Sequence, residues 1–505
     1  MSKIKIGWSE KKFVFTKPVS LRGQFAERIS QYEEKPLTAT AFVVTTDTEQ
    51  MILCSTDLIN ISFELVDVVK ARLAGKAEGL DVDKIVLSAI HTHTGPGYAG
   101  MGNRTKYLAS NATSFRKLLE AELPADKKYV ESADVSGNDA IMSDDDLLEE
   151  ISSKIEAAIL EAWNSRKEGG FSNAFGRAVV GMCRRAAYSD GSAQMWGDTN
   201  RGVFTELEGG NDSGIELMYT FDENNKLTGI VANLACPAQC VQHRLFISPD
   251  FWGEAKMLLR QHFGEDICIL TLCSAAGDQC PVDLIRWVEP ESDLNDPNCK
   301  RNNPPKRKAD PSMFDLAGMK KAGKRIANEI IEVYNEGLDA PQTDVEFEHR
   351  VLAMDLPLRR ATLADEITAR KEIRDYFNNL DRDTVDFNDA AALQVHLGIL
   401  RRMELQDKIN TVTFDIHIMR LGTIAIATNP FELFLDFGNQ IKARSLAEQT
   451  FLIQLANGSD GYLPTEKAER GGHYSAFISS GLIGHEGGDQ LVRETLDNVN
   501  EMFSK

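Results

Sequence analysis

The sequence has few basic residues for its length, so its net charge is strongly negative. Its 505 residues include 56 Lys and Arg against 76 Asp and Glu, which gives a formal charge of −20 at pH 7. A protein that binds nucleic acid or an anionic membrane presents a basic surface to the phosphates, and this chain has no such surplus. We therefore expect neither a nucleic-acid partner nor a membrane partner.

Long apolar runs, a secretory leader and phosphate-binding motifs are also missing. No stretch approaches the ~18 uninterrupted apolar residues of a transmembrane helix, and residues 1–8 carry no leader-like apolar segment. The eight cysteines are too sparse for a disulfide framework. There is neither a Gly-x-x-x-x-Gly-Lys-Ser/Thr motif nor a strand-linked Gly-x-Gly-x-x-Gly motif. These absences predict a soluble, cytoplasmic protein with free thiols.

What remains is an ordinary globular composition, with 42% apolar and 26% charged residues. Apolar runs of strand length, such as 85–90, alternate along the chain with segments of helical periodicity, such as 63–73. The alternation predicts an α/β protein with a large mixed β-sheet core surrounded by helices. We expect one domain over residues 1–505, with insertions at about 101–142, 289–311 and 363–407, the last being a charged helical excursion.

Reactive side chains follow several of the strand-like runs directly. Because the carboxyl ends of strands in an open α/β sheet converge on the ligand crevice, we expect these side chains to meet there. They are His91 and His93, Cys236, Asp278 and Cys280, Glu432, and Tyr462.

The segment His91-Thr92-His93-Thr94-Gly95-Pro96-Gly97 is the most informative of these. A spacing of two on an extended backbone points both imidazoles to the same side, and Gly-Pro-Gly then bends the chain. The pattern is typical of a metal ligand with a proton-handling neighbour. The alternative is two histidines at a polar loop entrance.

This segment resembles the Thr/Ser-His-Thr-His-Ser-Gly-Pro-Gly motif of the neutral/alkaline, non-lysosomal ceramidase family. The resemblance continues in the family's order with Gly277-Asp278-Gln279-Cys280-Pro281, which is similar to Gly-Asp-x-Ser-Pro. It ends with Asn429-Pro430-Phe431-Glu432, similar to the zinc-binding Pro-Gly-Glu, and with the paired tyrosines of Gly461-Tyr462-Leu463-Pro464-Thr465 and Gly472-His473-Tyr474. It implies that the chain is a ceramidase-like catalytic domain without the family's C-terminal immunoglobulin-like domain.

The resemblance implies one zinc ion per chain. It assigns His91, Glu432 and Tyr474 as ligands, and it gives the handling of protons or of a developing oxyanion to His93, Arg184 and Tyr462. From the residues alone, Glu432 could equally be a residue at a helix N-terminus and Tyr474 an aromatic anchor.

Two positions depart from the family. Cys236 stands before Pro237 where the family has a histidine ligand, so we expect Cys236 to bind the metal, with His243 as the alternative; Cys236 could also be a buried small apolar residue. Cys280 replaces the family's serine. Because Asp278 nearby would raise the pKa of the thiol, we expect metal-activated water, rather than Cys280, to be the nucleophile.

The function that we expect is a zinc-dependent hydrolase acting on an amide or ester bond in a small polar substrate. The charge balance argues against ceramide itself. Two alternatives stay open. The same Lewis acid could serve a lyase or isomerase of a sugar or sugar acid, or the two cysteines could mark a binding protein with a degenerate site. The sequence specifies no oligomeric state.

Overall fold

An eight-stranded mixed sheet, here called the large sheet, forms the centre of the protein. The computed structural model describes residues 2–24, 27–101, 113–130, 140–285 and 314–504. In spatial order the strands are Cys268–Cys273, Leu227–Leu234, Gly214–Asp222, Lys167–Arg177, Lys5–Lys12, Thr38–Thr45, Gln50–Thr56 and Ile85–Ala89. Pairing is antiparallel except at the two edges, where the last strand runs parallel to its neighbour.

A four-stranded sheet, the small sheet, packs face to face on the large one. Its strands in order are Phe347–Pro357, Thr411–Leu421, Ile424–Thr428 and Gln449–Ile453. Apolar side chains from both sheets, among them Phe42 and Leu270 from one and Ile426 and Phe451 from the other, form the shared core. The predicted hairpin at 38–55 belongs to the large sheet and is confirmed.

Helices cover the outer face of each sheet and complete a four-layer arrangement. Two pairs, Phe63–Leu73 with Asp144–Asn164 and Phe251–Phe263 with Asp315–Glu336, cover the large sheet, and Leu435–Arg444 with His485–Phe503 cover the small one. The helix Asp144–Asn164 begins after Ser143, whose side chain accepts from Asp146 N–H, and its first turn carries three aspartates. The predicted α/β class with a large mixed sheet is confirmed.

Two of the expected insertions pack on each other. The helices Leu363–Asn378, Phe387–Ala392 and Gln394–Gln406 confirm the helical excursion, and Phe115–Glu122 joins them through a core that includes Leu119, Ile373 and Leu397. The strand pair Lys128–Tyr129 and Thr384–Val385 adds a second link. The insertion at 289–311 lies outside the described residues.

The remaining elements are short, and several of them hold the site described below. The strand groups are Ser2–Lys3 with Asp344–Val345, Ser20–Leu21 with Arg28–Ile29, Tyr32–Glu33 with Phe246–Ile247, Met182–Cys183 with Gln279–Cys280, Arg185–Tyr188 with Ala193–Met195 and Phe204–Leu207, and Glu432–Leu433 with Tyr462–Leu463. The helical ones are Val82–Lys84, Glu466–Gly471 and Ile478–Ser480. Among the helices of the described ranges, none has the length and apolarity needed to cross a bilayer.

Candidate functional site

Backbone pairing beyond the strand ends holds the candidate site together. Glu432 lies opposite Tyr462 in a short parallel pair. The Arg184 N–H donates to the Asp278 carbonyl at 2.9 Å, and the Gly277 N–H donates to the Leu433 carbonyl at 2.8 Å. A Cβ on Gly277 would lie 2.2 Å from the Glu432 carbonyl oxygen, so only glycine allows this approach.

His91 and Glu432 face each other across the site. The His91 Nε2 lies 3.4 Å from Glu432 Oε2, and both side chains are largely buried. The His91 Nδ1 lies 2.6 Å from the Ile59 carbonyl oxygen. A carbonyl can only accept, so Nδ1 carries a proton and donates to it, while Nε2 faces the carboxylate. His91 has φ +64°, an uncommon backbone conformation that this arrangement maintains.

Arg184 and two tyrosines line one side of this pair. The Arg184 Nη2 donates to the Gly277 carbonyl at 2.9 Å and to the Tyr462 hydroxyl at 3.3 Å, and the Tyr462 and Tyr474 hydroxyls lie 3.4 Å apart. Burial opposes the charge of Arg184, but Tyr462 and Glu432 together raise its pKa, so the guanidinium stays charged. Positive φ at His473 and Ser475 bends the chain on both sides of Tyr474.

His93 lies beside His91, with its ring centroid 5.0 Å from that of His91 and nearly perpendicular to it. Both of its ring nitrogens are shielded from solvent, and neither has a hydrogen-bond partner among the described residues. Burial, together with the neighbouring His91 ring and the positive charge of Arg28, lowers the pKa of His93 well below its usual value. The ring is thus held ready to exchange hydrogen bonds with an incoming group.

Asp278 and Cys280 support the site without exposing reactive atoms. The Asp278 carboxylate accepts the N–H of Leu435, the first residue of the helix Leu435–Arg444, and burial raises the pKa of Asp278 to about 6. The Cys280 thiol donates to the Val282 carbonyl at 3.3 Å, and burial raises its pKa to about 12. A neutral thiol is a poor nucleophile, which fits the expectation that Cys280 is not the nucleophile.

The structure places Cys236 in an apolar cluster. Its thiol donates to the Pro237 carbonyl at 3.5 Å, and burial raises its pKa well above the usual value. Across the described ranges, no group of three or more His, Cys, Asp and Glu residues is arranged to hold a metal ion, so Cys236 does not complete such a group with His91 and Glu432. Direct ligation by Cys236 stays a prediction. The alternative ligand, His243, contacts the ring of Phe314 and contributes to lowering the pKa of His93.

The His91–Glu432 pair nevertheless has the spacing of two ligands in a tetrahedral metal site. Two ligands at 2.0–2.1 Å from a tetrahedral Zn²⁺ lie about 3.3 Å apart, close to the 3.4 Å found here. The carbonyl of Ile59 on Nδ1 is the kind of outer partner that orients metal-binding histidines. An imidazole nitrogen and a carboxylate oxygen at this distance have a proton or a cation between them, and this pair of ligand types is one that Zn²⁺ takes.

No protein-family model matches the chain, and no curated protein matches it. Solved structures do match the chain. Neutral ceramidase from Pseudomonas aeruginosa matches 100% of this chain and 75% of its own with a TM-score of 0.66 at 16% identity. A ceramidase complexed with C2 matches 100% of this chain and 76% of its own with a TM-score of 0.64 at 14% identity. The chain has the ceramidase fold. The resemblance carried by the sequence motifs is thereby confirmed at the level of the fold.

Within this ceramidase fold, two buried residues beside the site belong to none of the sequence motifs. The Gln239 Oε1 accepts from Arg184 Nη1 at 3.5 Å, and Arg28 donates to the His93 carbonyl oxygen at 2.6 Å. Gln239 follows Cys236 by three residues, and its polarity just beyond a buried strand was a usable signal. Arg28 precedes the large sheet's hairpin in sequence, and no local pattern marks it.

Proposed function

We propose that the protein is a metal-dependent hydrolase, with zinc as the metal, and that it cleaves an amide or ester bond in a small polar substrate. The observation that carries the proposal is the 3.4 Å separation of His91 Nε2 and Glu432 Oε2 beside a charged Arg184. The ceramidase fold supports the hydrolase class, since the matched structures bear the name of an amide-cleaving enzyme.

In this proposal His91 and Glu432 hold the ion, and Tyr474 lies nearby as a third ligand. A zinc ion there supplies a Lewis acid for the scissile carbonyl and lowers the pKa of a water molecule. The positive charge of Arg184 and the hydroxyl of Tyr462 lie where they stabilise the negative charge that develops on the carbonyl oxygen. Arg184 is fixed for this role by its bond to the Gly277 carbonyl, so it needs no reorganisation during the reaction.

His93 has the remaining role in the proposal, the movement of protons. Its two free ring nitrogens allow it to take a proton from the attacking water and to return it to the leaving group. Its backbone is held on both sides, because its N–H donates to the Ala238 carbonyl at 3.2 Å and its own carbonyl accepts from Arg28. Neither Cys280 nor Asp278 is assigned a bond-making step.

The test is elemental analysis joined to a hydrolysis screen. We expect about one zinc ion per chain, lost in His91→Ala and in Glu432→Gln, and turnover of simple esters or N-acyl compounds that falls with the metal. His262→Gln, which alters an exposed histidine, is the matched control. A metal-free protein with full activity would refute the proposal. X-ray absorption on the zinc-loaded protein tests Cys236, since a sulfur scatterer at about 2.3 Å requires its thiolate.

A further inference from the structure

Two buried guanidinium groups near His93 have no carboxylate partner. Arg28 and Arg184 are 2% and 4% exposed. Arg28 donates to the backbone carbonyls of residues 22, 93 and 244, and Arg184 donates to a carbonyl, a phenol and an amide oxygen. In a chain with 76 Asp and Glu, carboxylates are plentiful, yet within the described ranges neither arginine forms an ion pair. Buried charges are ordinarily paired, because an unpaired one costs several kcal/mol.

Polar atoms beside these arginines have no hydrogen-bond partner among the described residues. Gln239 is 2% exposed. Since its Oε1 accepts from Arg184, its orientation is fixed and the free atom is the Nε2 donor. Among the described residues, no acceptor meets Gln239 Nε2 or Arg184 Nε, and neither ring nitrogen of His93 has a hydrogen-bond partner. Gln239 is next to Ala238, whose carbonyl accepts the His93 N–H, so these groups share one wall.

A group that binds Gln239 Nε2 and Arg184 Nε has to be a hydrogen-bond acceptor, and the local positive charge favours an anion. The nearby Glu432 carboxylate raises the pKa of Arg184 and also faces His91, where the proposed metal would balance its charge and leave the positive charge of Arg184 for the substrate. Hydrogen bonds from an amide and a guanidinium to an ionised acceptor are roughly twice as strong as neutral ones.

We propose that the substrate carries a carboxylate, which Gln239 Nε2 and Arg184 Nε bind while Arg28 contributes charge from behind His93. This inference rests on the proposed function, because it names the substrate class of the same site. It makes Gln239 a specificity-determining residue. The preferred substrates are then N-acyl or ester derivatives of small acids, and their neutral amides are excluded.

The test compares two small probes that differ only in charge, N-acetylglycine and N-acetylglycinamide. Calorimetric titration of the full-length protein should give at least tenfold tighter binding of the acid. Gln239→Leu, which removes the donor at similar volume, should reduce this preference by about tenfold, in line with a hydrogen bond to a charged group. Gln239→Glu should abolish it and raise the melting temperature, because the new carboxylate pairs with Arg184.

Two further variants separate the possible explanations. Gln242→Leu is the matched control, since Gln242 is also buried but accepts from Gln24 instead. The double variant His91→Ala with Glu432→Gln, which removes the metal site together with the carboxylate charge, should lose any hydrolysis yet keep the preference for the acid. This result excludes binding of the probe to the metal and distinguishes failure of this inference from failure of the proposed hydrolase. Equal binding of both probes, or binding of neither, overturns the inference. The inference is also overturned if Gln239→Leu melts at a higher temperature than wild type and keeps the preference for the acid. That result would mean that Gln239 binds a water molecule instead of the substrate carboxylate.

Discussion

Acid should loosen the contact between the two sheets through a buried pair of histidines. The His349 Nδ1 donates to the Gln50 carbonyl at 3.0 Å, and its Nε2 lies 2.9 Å from His417 Nδ1. The His417 Nε2 in turn accepts from Asn457 Nδ2 at 2.9 Å. Each nitrogen therefore has a partner only while both rings are neutral, and the chain of bonds joins the large sheet to the small one.

The magnitude follows from the pKa of His349. Burial, with Lys84 adding repulsion, lowers this pKa to about 4, although the Gln50 bond and the charges of Glu49 and Asp81 oppose the shift. In the unfolded chain the value is about 6.5, so between these limits the unfolded state binds more protons and stability falls as the pH falls. The free energy of unfolding falls by about 2 kcal/mol by pH 5, and by about 3 kcal/mol once the pH is well below 4. Burial, His349, Lys70 and Lys84 lower the pKa of His417, which acts in the same direction.

The assay compares wild-type protein with His349→Gln between pH 7.5 and 5. Glutamine keeps an acceptor for the His417 N–H but does not titrate. The variant should therefore be less stable than wild type at pH 7.5 but lose less stability than wild type on acidification. The comparison is needed because burial raises the pKa of Asp250 and Asp278 to about 6, which gives the opposite slope in both proteins. Melting temperatures and hydrogen exchange at residues 85–89 report the change. Parallel losses in the two proteins, with His262→Gln as control, would show the reasoning to be wrong.

Two substitutions test how the site is held. Cys280→Ser should keep activity within ~10–100-fold of wild type, whereas an obligatory nucleophile costs far more; a substrate-derived thioester found by intact mass contradicts this. Gly277→Ala should weaken zinc binding by ~10-fold or more in metal titrations, because its Cβ displaces Glu432, while Gly210→Ala, whose Cβ meets nothing within 4 Å, should not. Equal zinc affinity in the two glycine variants would mean that the Gly277 contact does not position Glu432.

The sequence predicts the elements whose pattern is local. The strand Ile85–Ala89 and the hairpin Thr38–Thr45 with Gln50–Thr56 consist of apolar and β-branched residues, and both lie where expected. The strand Lys167–Arg177 is missed, because Gly169 and Gly170 suggest the end of the preceding helix. In the structure a Cβ on Gly169 would lie 2.4 Å from the Phe221 carbonyl oxygen, so this glycine serves close strand packing instead.

The candidate site is predictable only in part, for a similar reason. His91, Glu432, Arg184 and Tyr462 meet as expected, because they follow strand ends or lie in motifs of known order. The packing of the helix Phe115–Glu122 on the excursion at 363–407 leaves no local signal, since it depends on contacts between segments far apart in the chain. Gln239 does have a local signal, its polarity beyond a buried strand, but this signal does not reveal its contact with Arg184.

The framework of the site also explains how the two cysteines are accommodated. The Glu432 N–H donates to the Gly461 carbonyl and the Arg184 N–H to the Asp278 carbonyl, and Tyr462 lies opposite Glu432 in a strand pair. These contacts do not depend on the side chains at 236 and 280. Both thiols instead donate hydrogen bonds to nearby backbone carbonyls, those of Pro237 and Val282, inside apolar clusters. A fold that fixes its reactive groups through the main chain tolerates exchange of neighbouring side chains. The side chains at those two positions can therefore change while the His91–Glu432–Arg184 geometry persists.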